Sequence, residues 1–130
     1  MKKLVCAVLL LSLIAVAGYC LSGTIVGTQV NITYQEPNTN EDGTTLDDLA
    51  KTTVYYQVQG STFSVVGATV TATSTAGNGI INTSVTLPMI TKKALNYNIW
   101  ATATDLSNNE SVPSNVIVER VDKLAPAAPK

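Results

Sequence analysis

The chain has 130 residues, of which 45% are hydrophobic and 13% charged, with a formal net charge of −1 and no histidine. Without a basic run there is no source for the phosphate neutralisation that gives nucleic-acid binders their affinity, so nucleic acid is not an expected partner. The absent histidine, two cysteines in all and the lack of a glycine-rich phosphate loop remove the common bases, nucleophiles and metal sets, so neither an enzymatic activity nor a cofactor is expected.

Lys2 and Lys3 precede an apolar run over residues 4–17 broken only by Ser12, and Ala15-Val16-Ala17 has the small-x-small form of a cleavage site. These are the parts of a secretory signal peptide, predicted to leave after Ala17 and to send the remainder out of the cytoplasm. Two alternatives attach the chain to a membrane. One is retention of residues 4–22 as an anchor of the roughly 20 residues a span requires. The other is lipidation at Cys20, although Tyr19 stands where such a site needs a small residue. Removal of residues 1–17 would leave 113 of the 130 residues, with six Lys and Arg against nine Asp and Glu, a net charge of −3. That length suits one core. Cys6 leaves with the signal, so a mature chain keeps only Cys20, and its stability must come from packing rather than from an internal disulfide.

Residues 24–26 are the candidate for a short first strand at a sheet edge. From 28 to 34, Val30, Ile32 and Tyr34 share one face and Gln29, Asn31 and Thr33 the other, the period of a half-buried strand. Pro37 ends it. Residues 38–48 form a polar loop rich in Asn, Asp and Gly, in which Asn38, Asn40, Asp42 and Gly43 match the opening positions of a calcium loop. Position twelve of that pattern is Leu49 rather than a bidentate Glu, so an ordinary loop is preferred, no metal site is expected, and calcium at Asn38, Asn40 and Asp42 is the weak alternative. Glu41, Asp42, Asp47 and Asp48 share this one loop, whereas a glycosidase needs two carboxyls held on a rigid frame across a cleft.

Residues 52–59 read as the next strand, with Thr52, Val54 and Tyr56 inward. Residues 65–73 and 80–87 are two further strands joined through Ala76-Gly77-Asn78-Gly79, a turn signal because Gly and Asn tolerate positive φ. Eighteen threonines fit the picture, since β-branched side chains suit a pleated, half-exposed surface. In residues 97–104, Tyr97, Ile99, Ala101 and Ala103 alternate with Asn98, Trp100, Thr102 and Thr104; a polar connection over 105–111 then leads through Pro113 and Ser114 to a last apolar alternation from Val116. This is a hairpin. No helical periodicity follows residue 17. Residues 123–130 are Pro/Ala-rich, a stiff tail or linker.

Tyr97-x-Ile99-x-Ala101-x-Ala103-x-Asp105, then Asn109-Glu110-Ser111-x-Pro113-Ser114-Asn115 and the ending Val121-Asp122 followed by Ala125-Pro126-Ala127-Ala128-Pro129, resembles the last two strands and following linker of a bacterial fibronectin type III domain. Val30-x-Ile32-x-Tyr34-x-x-Pro37, Asn40-Glu41-Asp42-Gly43 and Leu46-x-x-Leu49-Ala50 are similar to the second strand and long loop of that family. Tyr34 stands where the family usually has Trp. The resemblance implies an all-β, seven-stranded antiparallel immunoglobulin-like sandwich over residues 18–122, behind a signal peptide at 1–17 and before a tail at 123–130. It implies structural roles for Tyr34 and for Tyr97, the latter as a tyrosine corner whose hydroxyl returns to upstream backbone. In the family the third, sixth and seventh strands share a sheet, and alternation then assigns Tyr55, Trp100 and Ile117 to one outward surface.

Aromatics on an exposed face have the composition of an interface centre. The expected function is therefore a non-enzymatic binding or adhesion module, secreted or otherwise extracytoplasmic in the periplasm or at the surface of a bacterium. It would dock a protein or carbohydrate, including a second copy of itself, through that face. The alternative is a structural spacer or a subunit of a surface assembly, suggested by the linker-like tail. Mass spectrometry of the extracellular or periplasmic fraction is expected to show a chain beginning at Gly18; a diacylglyceryl mass on Cys20 would instead establish a membrane anchor.

Overall fold

Pairing of alternating apolar runs produces two antiparallel sheets in the computed structural model, which describes residues 20–130; the signal-peptide reading of 1–17 lies outside them. The strands are β1 (Ser22–Val26), β2 (Gln29–Gln35), β3 (Leu49–Val58), β4 (Val65–Thr71), β5 (Ile80–Thr86), β6 (Ala94–Asp105) and β7 (Ile117–Asp122). The orders are β1-β2-β5 in a three-stranded sheet and β4-β3-β6-β7 in a four-stranded one. No helix occurs among the described residues. The described residues form an all-β sandwich of seven strands.

The core lies between the sheets. Val30, Ile32 and Tyr34 of β2 and Ile81 and Val85 of β5 face Val54 of β3, Tyr97, Ile99 and Ala101 of β6, and Ile117 and Val121 of β7. Val30, Val54 and Ile99 are wholly inaccessible, and side chains of this kind each contribute about 1.5–3 kcal/mol on burial. β4 and β5, consecutive in sequence, lie in different sheets, so the turn between them carries the chain across the sandwich. Gly77 and Asn78 there adopt φ of 65° and 69°, a backbone that Gly and Asn adopt most easily. Gly67 permits close approach of the layers: a Cβ there would stand 2.6 Å from Val85 Cγ1 and 3.1 Å from Tyr56 Cδ1.

The structure corrects the outward assignment of Ile117, which is buried at 6% exposure with Val121 on the same inward face. Residues 116–118 are Val-Ile-Val, so alternation alone does not choose a phase. Charged Arg120 and Asp122, both exposed, turn their side of β7 to water and bring Ile117, Glu119 and Val121 inward. The strand ends also differ from expectation. β3 starts at Leu49 and β6 runs from Ala94 to Asp105, because Leu49 pairs with Asp105 and Lys51 with Thr104 across the two strands. That pairing involves residues some fifty positions apart and is invisible to local pattern.

One buried carboxylate joins the layers. Glu36, 2% exposed, follows β2, and its Oε1 accepts the Thr73 amide at 2.9 Å while its Oε2 accepts the Thr73 hydroxyl at 2.5 Å and the Gly79 amide at 3.1 Å. The Glu36 amide returns a bond to the Gly79 carbonyl at 2.9 Å. The crossing turn is therefore held to the end of β2 by a carboxylate that accepts three hydrogen bonds across both its oxygens, which is the condition for a buried carboxylate to be tolerated.

Tyr34 is buried, with its hydroxyl 2.6 Å from Thr52 Oγ1, a bond between the two sheets. Tyr97 is also buried, packs edge-on against Tyr56 with ring centroids 5.9 Å apart, and donates its hydroxyl to the Pro88 carbonyl at 2.5 Å. That bond ties the β5–β6 connection to the core. Burial pushes both phenols upward in pKa, so each stays protonated at neutral pH. Replacing Tyr97 with Phe is expected to lower stability by about 1–2 kcal/mol in urea denaturation, with an unchanged slope; an unchanged midpoint would show that the Pro88 bond contributes nothing.

Candidate functional site

The outward face of the four-stranded sheet follows from the same alternation that fills the core. Lys51, Thr53, Tyr55 and Gln57 of β3 point away from the sandwich, as do Asn96, Asn98, Trp100, Thr102 and Thr104 of β6. Tyr55 pairs with Trp100 in register, and their rings stack at 5.9 Å and 18°. On the far side of Tyr55, Val66 of β4 is directly opposite and 55% exposed. Beyond Trp100, Val116 and Val118 are 47% and 52% exposed. An apolar stripe thus crosses all four strands, Val66 to Tyr55 to Trp100 to the two valines. Of the three residues expected together on this face, the structure joins Tyr55 and Trp100 and removes Ile117, with Val116 and Val118 in its place. Neither aromatic is fully exposed, because each covers part of the other.

Glu110 fixes the orientation of this stack. It pairs with Thr104 through an isolated bridge, and its Oε1 accepts the Tyr55 hydroxyl at 2.7 Å and the Thr102 hydroxyl at 2.6 Å. These two hydrogen bonds hold the Glu110 carboxyl below the usual range, and the Tyr55 phenol is raised chiefly by the same bond. Sequence reading found Glu110 only as part of the family-like connection; its effect on Tyr55, 55 positions away, has no local signature.

At the end of the sandwich beside Glu110, the β2–β3 loop and the β6–β7 connection stand apart around a cleft of about 750 Å³. Tyr34, Leu46, Leu49, Thr52, Ala101 and Ala103 are among its lining, and Glu41, Asp42, Asp105 and Glu110 contribute carboxylates to it. The β2–β3 loop is more ordered than its composition implies. Thr39 bridges Thr45, Leu46 is buried, and Asp42 Oδ1 accepts both the amide of Thr44 at 3.0 Å and its hydroxyl at 2.6 Å. Asn40 donates to Thr44 Oγ1 and to the Thr45 carbonyl. The residues of the calcium alternative are thus engaged in building a turn. No group of three or more His, Cys, Asp or Glu side chains among the described residues converges as a metal site would require.

Cys20 is partly buried just before β1 and is not a free thiol in this structure. The next residue, Leu21, is buried, and its backbone is held by Asn115: the Leu21 amide donates to Asn115 Oδ1 at 3.0 Å, and Asn115 Nδ2 donates to the Leu21 carbonyl at 2.9 Å. No helix of the described residues is long and apolar enough to cross a membrane.

The carboxylates divide by environment. Asp42, Asp105 and Glu110 are lowered, first by side-chain hydrogen bonds from Thr44, Asn109 and Thr102 respectively, whereas Glu119, inward on β7, is raised by burial. A lowered folded value contributes stability that is fully present above the unfolded carboxylate range near pH ~4 and is lost as pH falls through the folded value. A raised value acts oppositely: its cost builds as pH rises through the unfolded value and is complete above the raised one. Thermal unfolding midpoints should therefore hold between about pH 7 and 5 and fall below about pH 4, with Glu110→Gln flattening part of that decline. Glu119→Gln should raise the midpoint at neutral pH, and the gain should vanish below the carboxylate range; a gain that persists there would assign it to packing.

Compared with protein-family models, with curated proteins and with solved structures, the chain matches none.

Proposed function

We propose that the chain is a non-enzymatic, extracytoplasmic binding module of the fibronectin type III kind, docking a protein or glycan partner through the outward face of the four-stranded sheet. The family reading is supported by the division of strands into β1-β2-β5 and β4-β3-β6-β7, and by the buried Tyr97 whose hydroxyl returns to Pro88. The binding reading rests on one observation: the Tyr55–Trp100 stack, with its valine flanks, forms an apolar stripe across the outward face whose Val66, Val116 and Val118 stay exposed. Scattered exposed apolar residues are ordinary, but a contiguous stripe centred on an oriented aromatic pair is the composition of an interface. Gln57 and Asn98 beside it supply a polar rim.

The structural reading, a spacer or subunit of a surface assembly, is favoured by a different feature. Residues 123–130 leave β7 fully exposed with two prolines, so they suit an extended connection better than a packed element.

Intrinsic fluorescence separates the two, because Trp100 is the only tryptophan. On binding a partner from a glycan panel or the extracellular protein fraction, its emission should shift to the blue and become protected from acrylamide. Trp100→Ala and Tyr55→Ala should each weaken that partner's affinity by about tenfold or more, the effect of removing an aromatic at an interface centre. Assembly seen by light scattering that both variants leave unchanged, with Trp100 emission constant throughout, would overturn docking by this face and favour the spacer.

A further inference from the structure

The cleft at the end of the sandwich has a chemistry that the sheet face does not use. Its floor is apolar, built from Leu46, Leu49, Ala101 and Ala103, and Glu41, Asp42, Asp105 and Glu110 contribute the charge of its lining with no Lys or Arg among them. The one ion pair among the described residues, Arg120 with Asp122, is on β7, whose Asp122 pairs with Ala94 at the opposite end of β6 from Asp105. The four carboxylates are held by neutral donors instead: Glu41 by the Val112 amide at 3.1 Å, Asp42 by Thr44, Asp105 by the Asn109 amide at 2.8 Å, and Glu110 by Tyr55 and Thr102. These bonds orient the charges without neutralising them, and Lys51, on the outward side of β3, acts on Glu110 by charge. Carboxylates gathered around a partly enclosed apolar recess focus a negative potential into it.

We propose that this cleft binds a peptide segment of a partner protein through a lysine or arginine side chain flanked by apolar residues. The charge complement selects a cation and rejects an anion. Volume and floor select a side chain over a simple ion: about 750 Å³ far exceeds what a lone ammonium fills, and the methylene stem of Lys or Arg lies against apolar surface while its head reaches the carboxylates. A hard metal ion would need its oxygens converged within a single coordination sphere, and the described acidic residues are not so grouped. Glu41 and Val112 carry the β2–β3 loop and the β6–β7 connection respectively, so their bond joins the two walls and sets the width of the recess. The site adjoins the aromatic stripe and shares Thr102 and Glu110 with that face.

The test is a titration of the ¹⁵N-labelled protein with four acetylated, amidated tripeptides, Leu-Lys-Leu, Leu-Arg-Leu, Leu-Gln-Leu and Leu-Glu-Leu, followed by amide chemical shifts. The Lys and Arg peptides are expected to shift residues 40–46 and 105–115 saturably, with affinity falling as salt rises from about 0.02 to about 0.3 M. The Gln and Glu peptides should leave those signals in place. Glu41→Gln, which keeps an acceptor for Val112 while removing the charge, should weaken the Lys peptide about two- to fivefold, the effect of one partly exposed charge. Ala103→Leu, which fills the floor, should abolish the shifts while the dispersed strand signals persist. Equal shifts from all four peptides, no shift from any, or shifts confined to the region of Tyr55, Trp100 and Val118 would each overturn the assignment; the last would place the peptide on the sheet face instead.

Discussion

The antiparallel pairing of β3 with β6 is the constraint on which the remaining structure depends. It runs from Leu49 opposite Asp105 to Val58 opposite Tyr97, so a single register sets the facing of both central strands. In that register Thr52, Val54, Ile99 and Ala101 meet the other sheet, and Tyr55 is brought beside Trp100 on the opposite side. A slip of β6 by one residue would turn that strand over, placing Trp100 in the core and Ile99 in water. The cost of exposing Ile99 alone, about 1.5–3 kcal/mol, is a sizeable part of the stability of a small domain. The outward aromatic pair is therefore held in place by the inward aliphatic one.

Polar groups complete what apolar burial leaves open. The two sheets are hydrogen-bonded within themselves, and bonds between them come from side chains: Tyr34 to Thr52 in the middle, and Glu36 to Thr73 where the chain crosses from β4 to β5. Tyr97 performs a related task at the β5–β6 connection, where its hydroxyl reaches Pro88. None of these groups is an orphan; no buried side-chain nitrogen or oxygen among the described residues lacks a partner. A chain with 13% charged residues can bury Glu36 because three donors converge on it, and removing those donors would leave a costly charge in the interior.

How much of this was legible follows from how local each determinant is. Val30, Ile32 and Tyr34 announce β2 because each alternates with a polar neighbour, and Gly77 and Asn78 announce their turn through backbone chemistry of their own. Tyr55 and Trp100 were placed outward by the same alternation, and their stack follows from strand pairing. Ile117 was not legible, since three apolar residues in a row carry no phase; the information lay in Arg120 and Asp122, and partly buried Glu119 obscured it. The role of Glu36 was not legible either, because its donors lie 37 and 43 positions away. The cleft was hidden for a further reason. It is a space between two connections, defined by the distance separating them, and composition describes what a loop contains rather than where it stands.

Glu110 makes the sheet face and the cleft parts of one electrostatic system. Its Oε1 holds the hydroxyl of Tyr55, which supports the ring of Trp100, and the same carboxylate lines the recess between the loops. Cationic charge entering the recess draws on the oxygen that orients the aromatic pair, and burial of the aromatic pair under a partner strengthens the field that oxygen projects into the recess. Any free energy that passes between the two surfaces must pass equally in both directions. Lys51, on the outward side of β3 and close enough to lower the Glu110 carboxyl further, already samples that charge from the face. A partner that reaches around the rim, with an apolar patch on the stripe and a basic side chain in the recess, would meet both halves of a single carboxylate's field, and this geometry distinguishes the rim beside Glu110 from every other edge of the sandwich described above.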